Sequence, residues 1–242
     1  MNAYKAEIGK YHILNALAGT GGTVVFGGTA DREIPVSELK QSFGLIPALY
    51  NRSLSGLTLE HAVRAYDEAA APLVPERVLL HLGEADTERF ESDPAGFDSD
   101  YRALIAHIRM TDRKCDVIVV SLKNPEGLPK IDAFNRHLKN LAASERCEFC
   151  DINTQRVWNP AAMKETIAFL YSTGFVRPLH RKMPAYDLVR ILYSYDSACE
   201  AVPEAKTKPR RAAGPRVCQK PPSAESGNVS MWHEYQSHIS GA

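Results

Sequence analysis

Short apolar runs alternate along this chain with longer stretches in which apolar residues recur every three or four positions. Residues 23–27 (TVVFG) are β-branched and apolar and end at paired glycines. Residues 77–83 (RVLLHLG) and 116–122 (DVIVVSL) are almost continuously apolar. That is the pattern of strands buried on both faces of a parallel sheet. Residues 45–51 (LIPALYN) read as a short strand, and their proline places it at a sheet edge, where a missing N–H is tolerated. Residues 148–153 are strand-like, with Phe149 and Cys150 on opposite faces.

Helical spacing fills the intervals. A helix over 35–43 has Pro35 at its first position, and another follows Thr58 as N-cap. Further helices are expected over 96–110, 129–144 and 183–195, the last with Leu188, Ile191, Leu192 and Tyr195 on one stripe. Strands separated by such helices predict right-handed βαβ units and a three-layer α/β sandwich around a parallel sheet of about five strands.

Composition changes this picture at the ends. Residues 1–21 read as an N-terminal extension carrying a short helix rather than a signal peptide, and 22–198 as the α/β domain. From 199 to 242 aliphatic residues thin out and prolines and basic residues accumulate, as in a disordered tail. The basic run there, or the segment Met231-Trp232-His233-Glu234-Tyr235, is a candidate contact for a protein partner. Net charge is zero, which gives no reason to expect nucleic acid or an anionic membrane. No apolar run is long enough to span a bilayer, and a cytoplasmic location is the expectation. Five cysteines, an odd number, read as free thiols, and the Cys147/Cys150 pair reads as two half-buried side chains rather than a metal site. Neither metal nor cofactor is expected, the expected partner is a small molecule, and the oligomeric state is open.

In an open parallel sheet ligands bind beyond the carboxyl ends of the strands. The segments there are GGTAD (27–31), NRSLSG (51–56), GEAD (83–86) and, before the last helix, YSTGFVRPLH (171–180). In order and spacing these resemble the blocks of the SGNH (GDSL) hydrolases, a flavodoxin-like group of esterases and acyl hydrolases. The resemblance implies that Thr29 stands at the nucleophile position after Gly27 and Gly28; a one-residue shift would put Ala30 there. It implies oxyanion or pocket positions at Gly28, Ser53, Gly83, Glu84, Ala85 and Asp86. Ser53 stands in a glycine slot, and Ala85 replaces an asparagine that would complete the oxyanion hole. Asn135 matches a helix asparagine of the family. The last block lacks the family's Asp and His. His180 is the remaining candidate base, out of register, and Arg177 and Asp31 are expected on the pocket rim.

An alcohol is a poor nucleophile at neutral pH unless a base takes its proton. Loss of one oxyanion donor alone costs about 2.7–4 kcal/mol of transition-state stabilisation. The pattern therefore predicts a degenerate hydrolase that binds a small polar ligand, a sugar or acylated metabolite, with little or no hydrolysis. The alternatives are an active esterase using Thr29 and a protein-interaction module acting through the tail. Asp86 is equally readable as a cap on the helix that follows it, and His81 as a core histidine.

Overall fold

In chain order the strands are β1 (Thr23–Gly27), β2 (Leu49–Asn51), β3 (Arg77–His81), β4 (Asp116–Val120) and β5 (Glu148–Cys150). They form one five-stranded sheet, all parallel, in the spatial order β2-β1-β3-β4-β5. The computed structural model describes residues 4–45, 48–153 and 184–201. Winding reverses between β1 and β3, which makes their exits the place for a ligand. Register fixes what meets there: Thr23 pairs with Arg77, and Gly27 lies beside His81.

The helices are α1 (Lys5–Leu17), α2 (Thr29–Arg32), α3 (Val36–Ser42), α4 (Leu59–Ala69), α5 (Thr87–Ser92), α6 (Pro94–Thr111), α7 (Pro129–Ser144) and α8 (Ala185–Ala201). Alternate residues of the central strands feed two cores. Val24, Phe26, Val78, Leu80, Val117 and Val119 pack on one side with Tyr66 of α4, Tyr101 and Leu104 of α6 and Leu138 of α7. Val25, Leu79, Ile118 and Val120 pack on the other with Val36 of α3 and Leu188, Ile191 and Leu192 of α8. Both β1 and β3 are buried at all five positions, as their unbroken apolar runs require. The result is the three-layer α/β sandwich expected from the sequence.

Several boundaries differ from expectation for local reasons. Pro35 sits one residue earlier than expected, at the N-cap of α3. The edge strand β2 keeps only three residues, and residues 46–47 lie outside the described set. Thr58 occupies the N-cap position of α4, but its hydroxyl meets His61 Nδ1 at 3.1 Å instead of capping a backbone N–H. Phe149 faces the first core and Cys150 the second, so they do lie on opposite faces. Cys115, Cys147 and Cys150 are free thiols, and burial pushes the Cys150 thiol up to about 12. Among the described residues no helix is long and apolar enough to cross a membrane, and no cluster of His, Cys, Asp and Glu could hold a metal ion. The segment 202–242, which holds most of the expected tail, lies outside the described residues.

The N-terminal segment does more than extend the domain. Helix α1 lies against α4, where Asn15 Nδ2 donates to the Ala69 carbonyl at 2.9 Å.

Gly83 closes β3 with φ +117°, and a Cβ there would come within 2.6 Å of the Phe134 ring. Backbone and space both demand glycine. Gly83→Ala is expected to cost about 2–4 kcal/mol, combining left-handed strain with overpacking, read as a lower midpoint in urea unfolding.

Candidate functional site

Thr29 opens α2 directly beyond β1, with Gly28 as its N-cap. Its hydroxyl accepts a hydrogen bond from the Gly56 N–H at 2.8 Å, across from the turn that follows β2. Around it lies a cleft of about 210 Å³ lined by Gly28, Thr29, Gly56, Leu57, His81, Leu82, Gly83, Glu84 and Ala85. All three exits at the reversal point, those of β1, β2 and β3, contribute to it. Of the positions singled out in the sequence, Thr29, Gly28, Gly83, Glu84 and Ala85 come together here. Arg177 and His180 lie outside the described residues.

Asp31 is not on the rim. Its side chain turns inward and is 1% exposed. Three donors hold it: His81 Nδ1 at 2.8 Å, the Tyr193 hydroxyl at 2.6 Å and the Gly28 N–H at 3.2 Å. Gly27 makes this possible, because a Cβ at that position would stand 1.8 Å from Asp31 Oδ2. An ionised carboxylate only accepts, so the proton in the His81 contact sits on Nδ1. The Tyr193 ring meets the His81 ring edge-on, with centroids 5.1 Å apart. The imidazole is thus clamped between the β1 exit and α8, and its Nε2 is shielded from solvent. The sequence marks neither Tyr193, which lies off the expected stripe of α8, nor the inward turn of Asp31.

Ser53 is also buried rather than presented to the cleft. Its N–H donates to Asn51 Oδ1 at 3.0 Å, and its hydroxyl accepts from the Gly27 N–H at 3.0 Å. The N–H expected to serve an oxyanion is therefore engaged inside the fold, as is that of Gly28. Asn51 acts as a staple, with its Nδ2 donating to the Asp31 carbonyl at 2.6 Å. Asp86 leaves the pocket as well. Its Oδ2 accepts from the Leu59 N–H at 3.0 Å, so it caps α4 across the fold rather than α5 beside it. Burial raises its carboxyl above the usual range, partly offset by that N–H. Asn135 spends both ends of its amide on Leu122, whose N–H and carbonyl it binds at 2.8 Å each, and this fixes the loop beyond β4.

Glu84 is exposed at the cleft mouth, with its carboxylate 3.4 Å from where a Gly28 Cβ would be. Ala85 offers a methyl group and no side-chain donor. The cleft walls therefore combine two acceptors, Thr29 and Glu84, with the apolar Leu57 and Leu82.

No protein-family model matches the chain, and no curated protein matches it in sequence. Solved structures do. A candidate platelet activating factor from Streptococcus pneumonia superposes with a TM-score of 0.55 at 14% identity, covering 81% of this chain and 92% of its own. A candidate acylhydrolase from Bacteroides fragilis gives 0.51 at 18% identity, covering 81% and 98%. A GDSL-like lipase from Bacteroides thetaiotaomicron gives 0.48 at 18%, with the same coverage. The chain has an SGNH/GDSL hydrolase-like fold.

Two outcomes follow from these contacts. Asp31→Ala takes the acceptor from three buried donors at once and is expected to cost about 3–5 kcal/mol in urea unfolding, well beyond a surface substitution. Asp86 has a folded-state pKa above its unfolded one, so its contribution is fully present below the unfolded value and is lost as pH rises through the folded value. Asp86→Asn keeps an acceptor for Leu59 but cannot titrate. Wild-type stability relative to this variant should therefore fall with rising pH across the carboxylate range and then level off.

Proposed function

We propose that the cleft binds a small, neutral, hydroxyl-bearing ligand, a sugar or an acylated metabolite, and hydrolyses it little or not at all. One observation carries this reading: among the described residues the hydrogen-bond partner of the Thr29 hydroxyl is the Gly56 N–H. That group is a donor. It holds the oxygen in place but takes no proton from it, so it does not activate the alcohol. The Ala85 side chain adds no donor for a developing oxyanion.

The walls favour hydroxyl groups. Thr29 and the Glu84 carboxylate accept from them, while Leu57 and Leu82 suit the C–H face of a sugar ring. A carboxylate at the mouth disfavours anions. The cleft volume suits a ligand of monosaccharide size.

A second reading, an esterase with Thr29 as nucleophile, is favoured by the position of His81. His81, whose imidazole Asp31 orients, is among the residues that line the same cleft. On this reading His81 takes the Thr29 proton, the oxygen adds to an acyl carbon, and the leaving alcohol recovers the proton before water releases the acyl group.

Thermal melts with a panel of monosaccharides and acetylated sugars, beside turnover of p-nitrophenyl acetate, separate the two. Binding predicts an upward shift that grows with concentration by mass action for one compound class, and no turnover above that of Thr29→Ala. Turnover abolished by both Thr29→Ala and His81→Gln would establish the esterase instead.

A further inference from the structure

We infer that Glu7, on the N-terminal helix, is a positioning residue of the cleft, holding the Gly56 N–H against the Thr29 hydroxyl. The inference deepens the reading of this cleft as a ligand site and rests on it for its functional meaning.

Two walls of the cleft come from short pieces of chain with little structure of their own. One is the four-residue helix α2, which carries Thr29 at its start and Arg32 at its end. The other is the turn after β2 that carries Ser55 and Gly56. Glu7 joins them. Its Oε2 accepts from the Ser55 N–H at 3.1 Å, and its Oε1 accepts from the Ser55 hydroxyl at 3.2 Å. Arg32 Nε meets the same Oε1 at 3.0 Å. Arg32 Nη1 closes the triangle by donating to the Ser55 hydroxyl at 3.1 Å. One carboxylate therefore fixes the residue before Gly56 and the last residue of the helix that starts at Thr29.

Neighbouring contacts from α1 and its N-cap act on the same turn. The Tyr4 hydroxyl donates to the Gly56 carbonyl at 2.9 Å, and the Tyr11 hydroxyl donates to the Ser53 carbonyl. Arg52, buried, lies over the rings of Tyr11 and Tyr50 and donates from Nε to Asn15 Oδ1 at 2.8 Å. Tyr4, Tyr11 and Asn15 hold the ends of the turn, and Glu7 holds its middle. Glu7 is also mostly covered: its side chain is 16% exposed, against 43% for Arg32. Solvent screening therefore weakens this pair less than an ordinary surface pair. Three charge-assisted or backbone contacts on one carboxylate are more than helix attachment needs, since α1 already packs on α4.

The Gly56 amide is the readout, because it reports the wall geometry without any ligand. In the full-length protein, Glu7→Ala should move the Gly56 amide proton upfield and speed its hydrogen exchange at least tenfold, while the melt stays cooperative. Thr29→Val, which deletes the acceptor, should produce the same change at Gly56. Glu7→Gln keeps a neutral acceptor for the Ser55 N–H but loses the ion pair, and should fall between wild type and Glu7→Ala. If Glu7→Ala does not fold, Ser55→Ala tests the same link by removing the hydroxyl bonded to both Glu7 and Arg32. An unchanged Gly56 shift and exchange rate in the folded variant overturns the inference. Failure of every sugar to shift the wild-type melt would instead count against the ligand reading and leave the Gly56 result standing.

Discussion

Everything at the mouth of this sheet is arranged around the buried Asp31 carboxylate. Register brings Gly27 level with His81, and the absence of a side chain on Gly27 opens the space that Asp31 Oδ2 fills. From there the carboxylate binds the imidazole at the end of β3, the Tyr193 hydroxyl on α8 and the N–H that begins α2. A buried charge without such partners would be prohibitive, so the three contacts come as a set. They tie the two strands that flank the reversal point to the last described helix. They also explain why Thr29 stands where it does, since α2 is anchored by its own third residue reaching back to its N-cap.

On the reading proposed above, the cost of this arrangement falls on chemistry. In a nucleophilic hydrolase an alcohol, a base and an orienting acid act in line. Here the imidazole of His81, a residue of the cleft, is paired with the buried Asp31 carboxylate inside the fold. The alcohol is held by a peptide N–H, that of Gly56. The other family-like positions follow the same trend. The Ser53 N–H goes to Asn51, the Asp86 carboxylate goes to the start of α4, and the Asn135 amide goes to the backbone of Leu122. Groups at positions where the resembled family places reactive or binding functions serve here as internal hydrogen-bond partners. Among the described residues, these exits leave a small cleft with acceptors and apolar walls, which the proposed reading assigns to binding.

The sheet was legible because its central strands have no polar alternation to obscure them. Val24, Val25 and Phe26, and Val78 to Leu80, could only be buried on both faces. Helix α7 was legible end to end for a similar reason, with Pro129 at its start and a steady apolar stripe. The site was legible as a set of positions but not as a set of directions. A carboxylate one turn beyond β1 can point outward to a rim or inward to a neighbour. Which it does depends on the β1–β3 register and on a tyrosine more than 160 residues away in sequence, neither visible locally. Asp86 was readable as a cap, but the helix it caps is distant in sequence. Glu7 gave no signal, because its importance comes from the docking of α1 and not from its neighbours.

The most direct measurement is of the His81 ring nitrogens by long-range proton–nitrogen NMR. The account predicts a proton on Nδ1, strongly hydrogen-bonded and slow to exchange, that changes when Asp31 is replaced by Asn. An unprotonated Nδ1 with the proton on Nε2, or a ring that ignores the change at Asp31, would contradict it.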